Sequence, residues 1–103
     1  NVAVRLTVDD AGTCQAARVI VGGGVGKTPV RAVSCETVLA GKHLSPGLVA
    51  EAAEAVPSDV HPVSDHRASA KYRAALAKVF VRRTLIRALD RLEGRHDRVQ
   101  GGR

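Results

Sequence analysis

VAVRLTVDDAGTCQAARVIVGG, residues 2–23, decides the fold class of this chain. Val2, Val4, Leu6 and Val8 alternate with Ala3, Arg5 and Thr7. A period of two puts the first set on one face of a strand and the second on the other. Asp9-Asp10-Ala11-Gly12-Thr13 then supplies the Asp and Gly chemistry of a hairpin turn. The next run carries Val19, Ile20 and Val21 and is expected to pair back antiparallel. Residue 1 already stands at the edge of a strand pattern with no turn or cap before it, which reads as a fragment boundary.

Beyond the hairpin the periodicity changes. Ala32, Val33, Glu36, Val38, Leu39 and Ala40 form a short helical pattern that Gly41 stops. Ser45-Pro46 reads as an N-cap followed by proline at the first helical position. Leu48, Val49, Ala52, Ala53 and Val56 follow on one face until Pro57. The proline-containing stretch 58–65 is a stiff loop. Ser69 then caps a long helix expected over residues 70–93. That helix is apolar on two sides. Tyr72, Leu76, Val79, Phe80 and Ile86 form one stripe, and Val81, Leu85, Leu89 and Leu92 lie nearly opposite. Such a helix needs two partners. The polar, glycine-containing tail 94–103 is expected to be disordered. Strands first and helices after give an α+β layer in a single domain, residues 1–93, rather than a βαβ repeat.

Composition narrows the function. The 103 residues contain no Trp or Met, one Tyr and one Phe, so the core must be aliphatic. Without aromatic platforms, stacking on single-stranded nucleic acid has no support. The net charge of +6 gathers in the last helix, at Lys71, Arg73, Lys78, Arg82, Arg83, Arg87 and Arg91. A basic helix attracts phosphate backbones, and a small nucleic-acid-binding domain is one alternative. A solvated face, or one meeting an acidic protein surface, explains the same charges more simply. Cys14 and Cys35 are isolated and read as small core residues in a reducing cytoplasm. No run is long and apolar enough to span a membrane.

Three groups of residues carry possible chemistry. GGGVGKT, residues 22–28, resembles a phosphate loop in which Lys27 would meet phosphates and Thr28 a magnesium ion. Val21 stands where that pattern needs its leading glycine, Pro29 interrupts the following helix, and no later strand ends in an acidic magnesium ligand. A tight glycine turn accounts for the stretch, and a nucleotide-binding module remains the other alternative. Asp59, His61, Asp65 and His66 include transition-metal ligand types. No helical spacing fixes their geometry, and Asp65 has a capping job before the last helix, so no metal site is assigned. No nucleophile, base or paired carboxylate emerges from spacing. Catalytic, cofactor-binding and metal residues are therefore all read as none.

Two stretches carry a resemblance. ARVIVGG…TPVRA…ETVLAGKHL spans residues 17–44, and SDHRASAKYRAALAKVFVRRTL spans residues 64–85. With the opening strand they resemble the C-terminal domain of the FAD-binding, or medium, subunit of molybdenum hydroxylases, the xanthine dehydrogenase and aerobic carbon monoxide dehydrogenase family. The matching positions are Gly22, Gly23, Pro29, Arg31, Leu39, Gly41, Asp65, Arg67, Ser69, Tyr72 and Arg73. The extra glycine in Gly22-Gly23-Gly24 departs from the pattern and lengthens the turn.

The resemblance implies an antiparallel sheet of three to four strands covered by three helices. It implies a parent oxidoreductase, cytoplasmic, whose FAD sits in earlier subdomains and whose molybdopterin and 2Fe-2S clusters sit in partner subunits. This chain would then be a structural and assembly domain with no complete active site, partnered by the FAD-binding subdomains and those subunits, and by neither nucleic acid nor membrane. The stripe Val81, Leu85, Leu89 and Leu92 is expected to face the flavin-binding part.

Overall fold

The structure, a computed structural model, describes the backbone of residues 1–22, 29–61 and 69–101, with side chains as far as residue 94. In chain order the elements are β1 (Val2–Val8), β2 (Cys14–Val21), β3 (Val30–Arg31), α1 (Val33–Leu39), α2 (Pro46–Glu54), a 3-10 turn over Val56–Ser58, and α3 (Ala70–Gly101). The sheet has three strands in the order β1-β2-β3, antiparallel throughout. α1 and α3 pack against one of its faces and α2 packs on those two helices, giving the α+β layer the sequence implies.

The hairpin register follows the alternation. Val2 stands opposite Val21, Val4 opposite Val19 and Leu6 opposite Ala17, all facing the helices. The other face carries Arg5 opposite Arg18. At the turn, Asp9 Oδ1 accepts the N–H groups of Ala11 and Thr13 at 3.0 and 2.9 Å. Gly12 closes the turn at φ +85°, and a Cβ there would come within 2.7 Å of the His43 ring. The positive φ is what demands glycine, since the exposed His43 side chain could move aside.

The outer edge of β2 is covered by a succession of short partners. β3 pairs with Ile20 and Val21. At the opposite end the segment after α1 takes over: Cys14 N–H donates to Lys42 O and Gly41 N–H to Cys14 O, each at 2.8 Å, and Thr13 forms an isolated bridge with His43. Gly41, at φ +78°, turns the chain out of α1 for this return. Between the two partners lies Val19, whose amide is satisfied by a side chain.

Cys14, Val19 and Val21 from the sheet meet Cys35 and Leu39 of α1, Val49 and Ala52 of α2, Val56, and Val81, Leu85 and Leu89 of α3. This buried set is aliphatic, as the composition requires. Each fully buried Val or Leu contributes roughly 1.5–3 kcal/mol, and α3 supplies two of the largest, Val81 and Leu85. Ser45 caps α2 by accepting the Leu48 N–H at 3.1 Å with Pro46 at the first position. Ser69 Oγ accepts the Tyr72 N–H at 3.1 Å at the start of α3.

Two sequence expectations need revision. α2 ends at Glu54, and Pro57 lies within the 3-10 turn that follows. α3 continues beyond residue 93 to Gly101. Gly94 lies within it, and one glycine in a helix costs only about 1 kcal/mol. No proline stands nearby to stop the helix. Among the described residues, no helix is long and apolar enough to cross a membrane.

Candidate functional site

The corner between β3 and α1 is built from one buried charge. Glu36 is only 6% exposed. Its Oε2 accepts the Val19 N–H at 2.8 Å and the Arg31 Nε–H at 3.3 Å, and its Oε1 accepts from Arg31 Nη2 at 2.6 Å. Burial pushes the carboxyl upward. The Arg31 guanidinium and the Val19 amide outweigh it, so the group is held below the ordinary glutamate value. Ala32 N–H donates to Val19 O at 2.8 Å, so both backbone groups of Val19 are used here. The matched position Arg31 therefore has a structural partner. Periodicity alone puts Glu36 in the α1 pattern and gives it no role. The signal was available in a glutamate inside an apolar pattern, five residues after an arginine.

Asp59 belongs to the same scaffold. Its two oxygens accept the N–H and Oγ–H of Ser34, both at 2.8 Å, with the Cys35 N–H at 3.4 Å. The residue before α1, Ala32, has no side chain that could cap the helix. Asp59 supplies the missing acceptor from 25 residues away, and its charge suits a helix N-terminus. This gives Asp59 a structural job in the described fold. His61 is exposed, and Asp65 and His66 lie outside the described residues. Among the described residues, no group of three or more metal-ligating side chains forms.

The phosphate-loop reading loses its context. Lys27 and Thr28, with Gly23, lie outside the described residues. The segment leads from β2 into an antiparallel strand, β3, rather than from a strand into a helix. The Gly22 N–H already donates to Asn1 O at 2.8 Å. Of the other matched positions, Pro29 is exposed ahead of β3, and Asp65 and Arg67 lie outside the described residues. Arg73 N–H bonds Ser69 O at 3.1 Å in the first turn of α3.

The two stripes of α3 exchange roles. Val81 and Leu85 are fully buried and Leu89 is 6% exposed, while Leu92 packs against the same core. The stripe expected to meet another body is thus the domain's own core contact. The helix turns its aromatic side away from this core. Tyr72 is 57% exposed, Phe80 43% and Val79 38%. The molecule's one tyrosine and one phenylalanine both stand on its surface.

Beside them α2 and α3 enclose an open groove of 550 Å³. Ala50, Ala53, Val79 and Ile86 form its floor, and Lys78, Arg82, Arg83 and Arg87 its cationic rim. Lys78 pairs with Glu54 at 3.0 Å. No ion pair joins Arg82, Arg83 or Arg87 to a carboxylate among the described residues. The groove walls are helix flanks, whose backbone N–H groups are already bonded within the helices. They offer no cradle of free N–H groups for a flavin pyrophosphate, and no residue here is assigned to FAD. The arrangement suits protein contact.

A family model described as the CO dehydrogenase flavoprotein C-terminal domain matches residues 1–88. The chain is 40% identical over 86 residues to the 6-hydroxypseudooxynicotine dehydrogenase complex subunit alpha of Paenarthrobacter nicotinovorans, covering 84% of this chain and 29% of that protein. It is 40% identical over 88 residues to the nicotine 6-hydroxylase medium subunit of the same organism, covering 85% and 30%. A chain of the carbon monoxide dehydrogenase of Hydrogenophaga pseudoflava superposes with a TM-score of 0.76 at 32% identity, over 87% of this chain and 31% of that one. The chain thus spans about 30% of the length of the curated relatives it matches. It belongs to the CO dehydrogenase flavoprotein C-terminal domain family.

Proposed function

We propose that this chain serves as the C-terminal assembly domain of the FAD-containing medium subunit of a molybdenum hydroxylase, an oxidoreductase that moves electrons between a molybdopterin centre, 2Fe-2S clusters and the flavin. The observation that carries the reading is the near-complete match of this domain to under a third of each relative. Those relatives are named as a dehydrogenase complex subunit and a hydroxylase medium subunit, and one similar structure is described as a carbon monoxide dehydrogenase that lacks the Mo-pyranopterin moiety of its molybdenum cofactor. The domain's own residues support a structural share of the work. Its buried Glu36 and half-buried Asp59 are spent on a strand edge and a helix cap. The flavin belongs to the polypeptide that makes up the rest of such a subunit.

Co-purification tests this. The tagged chain, with whatever polypeptide it is continuous with, is expected to bring down larger chains that carry molybdopterin and iron–sulfur absorbance, and to carry flavin itself. Recovery as a colourless protein free of such chains would contradict the proposal.

A further inference from the structure

The outward face of α3 is unusual in what it spends. A molecule with one Tyr and one Phe places both at the surface, although burying either would be worth more than burying a valine. The two sit eight residues apart on α3, turned away from the buried Val81 and Leu85, with Arg83 and Arg87 following Phe80 along the helix. Val79 and Ile86 continue this apolar strip into the groove against α2. Around that strip Arg82, Arg83 and Arg87 lack ion-pair partners among the described residues, and Glu54, the one carboxylate lining the groove, is engaged by Lys78.

Resting on the proposed function, we infer that this α2–α3 face docks an acidic, partly apolar segment of a partner subunit of the same complex. Charge selects the occupant. Three unpaired guanidinium groups around an apolar floor favour carboxylates set beside apolar side chains, and disfavour a second copy of this basic face. Residue type marks the face as one that meets another folded body. Aromatic residues and arginine are enriched where independently folded proteins meet, and lysine is depleted. Here the unpaired rim is arginine, and its one lysine is tied to Glu54. Long-range charge also accelerates encounter between separate chains, a gain that a tethered segment does not need.

The test uses the full-length medium subunit that contains this domain, with its partner subunits supplied separately. Two variants are compared with the unaltered protein: Phe80→Asp, and the double variant Arg83→Glu with Arg87→Glu. Both alter exposed side chains, and the double variant leaves every apolar residue in place. Partner affinity and flavin content are measured together at low and high salt. The inference predicts wild-type binding that weakens about tenfold with added salt, and losses of roughly 30-fold or more in either variant at unchanged flavin content. Binding within about twofold of wild type in both variants would overturn it. So would loss of flavin with partner binding intact, which would show the face closing on its own chain. Flavin content scores the parent reading and partner affinity scores the docking face, so the two fail separately.

Discussion

The carboxylate of Glu36 accepts the backbone N–H of Val19 at 2.8 Å, at a point on the edge of β2 that neither β3 nor the segment after α1 reaches. One side chain thus completes the ladder and, through Arg31, ties the end of β3 to the start of α1. Removing it leaves a buried N–H without an acceptor, which costs roughly 1–3 kcal/mol. Arg31 is half exposed and regains water when its partner is lost. Glu36→Ala is therefore expected to destabilise the domain by about 2 kcal/mol and Arg31→Ala by about 1 kcal/mol or less. Urea titration of the two variants checks the order, and an equal or reversed loss would count against it.

The same carboxylate makes the fold acid-sensitive. Its folded-state value lies below the ordinary 4.5. Its contribution is fully present above the unfolded value and fades as pH falls through the folded one. Wild-type stability should decline below pH 4.5 more steeply than that of Glu36→Gln, which keeps an acceptor but cannot titrate. Parallel pH profiles for the two proteins would show that Glu36 is not the sensor.

The exchange of faces on α3 gives a sharp mutational contrast. Leu85→Ala empties a fully buried site and should cost about 2–5 kcal/mol. Phe80→Ala trims a side chain that is 43% exposed, and its cost in this domain should stay near 1 kcal/mol or below. Thermal denaturation distinguishes them. A larger loss at Phe80 than at Leu85 would reverse the assignment of the core face.

Asp59→Ala removes the distant cap of α1 and should lower stability by about 1–2 kcal/mol. Added zinc or nickel should leave the melting temperature of the wild-type domain unchanged, because both Asp59 oxygens already accept hydrogen bonds. A rise in melting temperature that disappears in Asp59→Ala would contradict the reading that Asp59 binds no metal.

Both thiols should be silent in the native state. Burial, then the charges of Asp59 and Glu36, pushes Cys35 up to about 12, and burial raises Cys14 as well. Alkylation at pH 8 should therefore track unfolding, since the thiolate is the nucleophile. Rapid labelling of folded protein would mean that one of these sites opens.

Much of this fold is legible in the residues. The alternation from Val2 to Val8, the turn chemistry around Gly12 and the Ser45-Pro46 start of α2 are local signals, and local structure obeys them. The two apolar stripes of α3 are equally plain. Their assignment is not, because which stripe meets the sheet depends on the volume left by elements distant in sequence. Glu36 and Asp59 escaped for a similar reason. Their partners, Val19 and Ser34, lie 17 and 25 residues away, and no periodicity encodes a carboxylate standing in for a strand or a cap. The basic groove was visible only as a charged helix until α2 gave it a second wall.

The most direct measurement for the central claim is flavin content, taken on the whole subunit containing this domain and on residues 1–103 alone. The proposed function predicts that the whole subunit releases about one FAD per chain on denaturation and that the isolated domain is folded and colourless. A whole subunit that carries no flavin would contradict the account, as would flavin retained by the 103-residue chain itself.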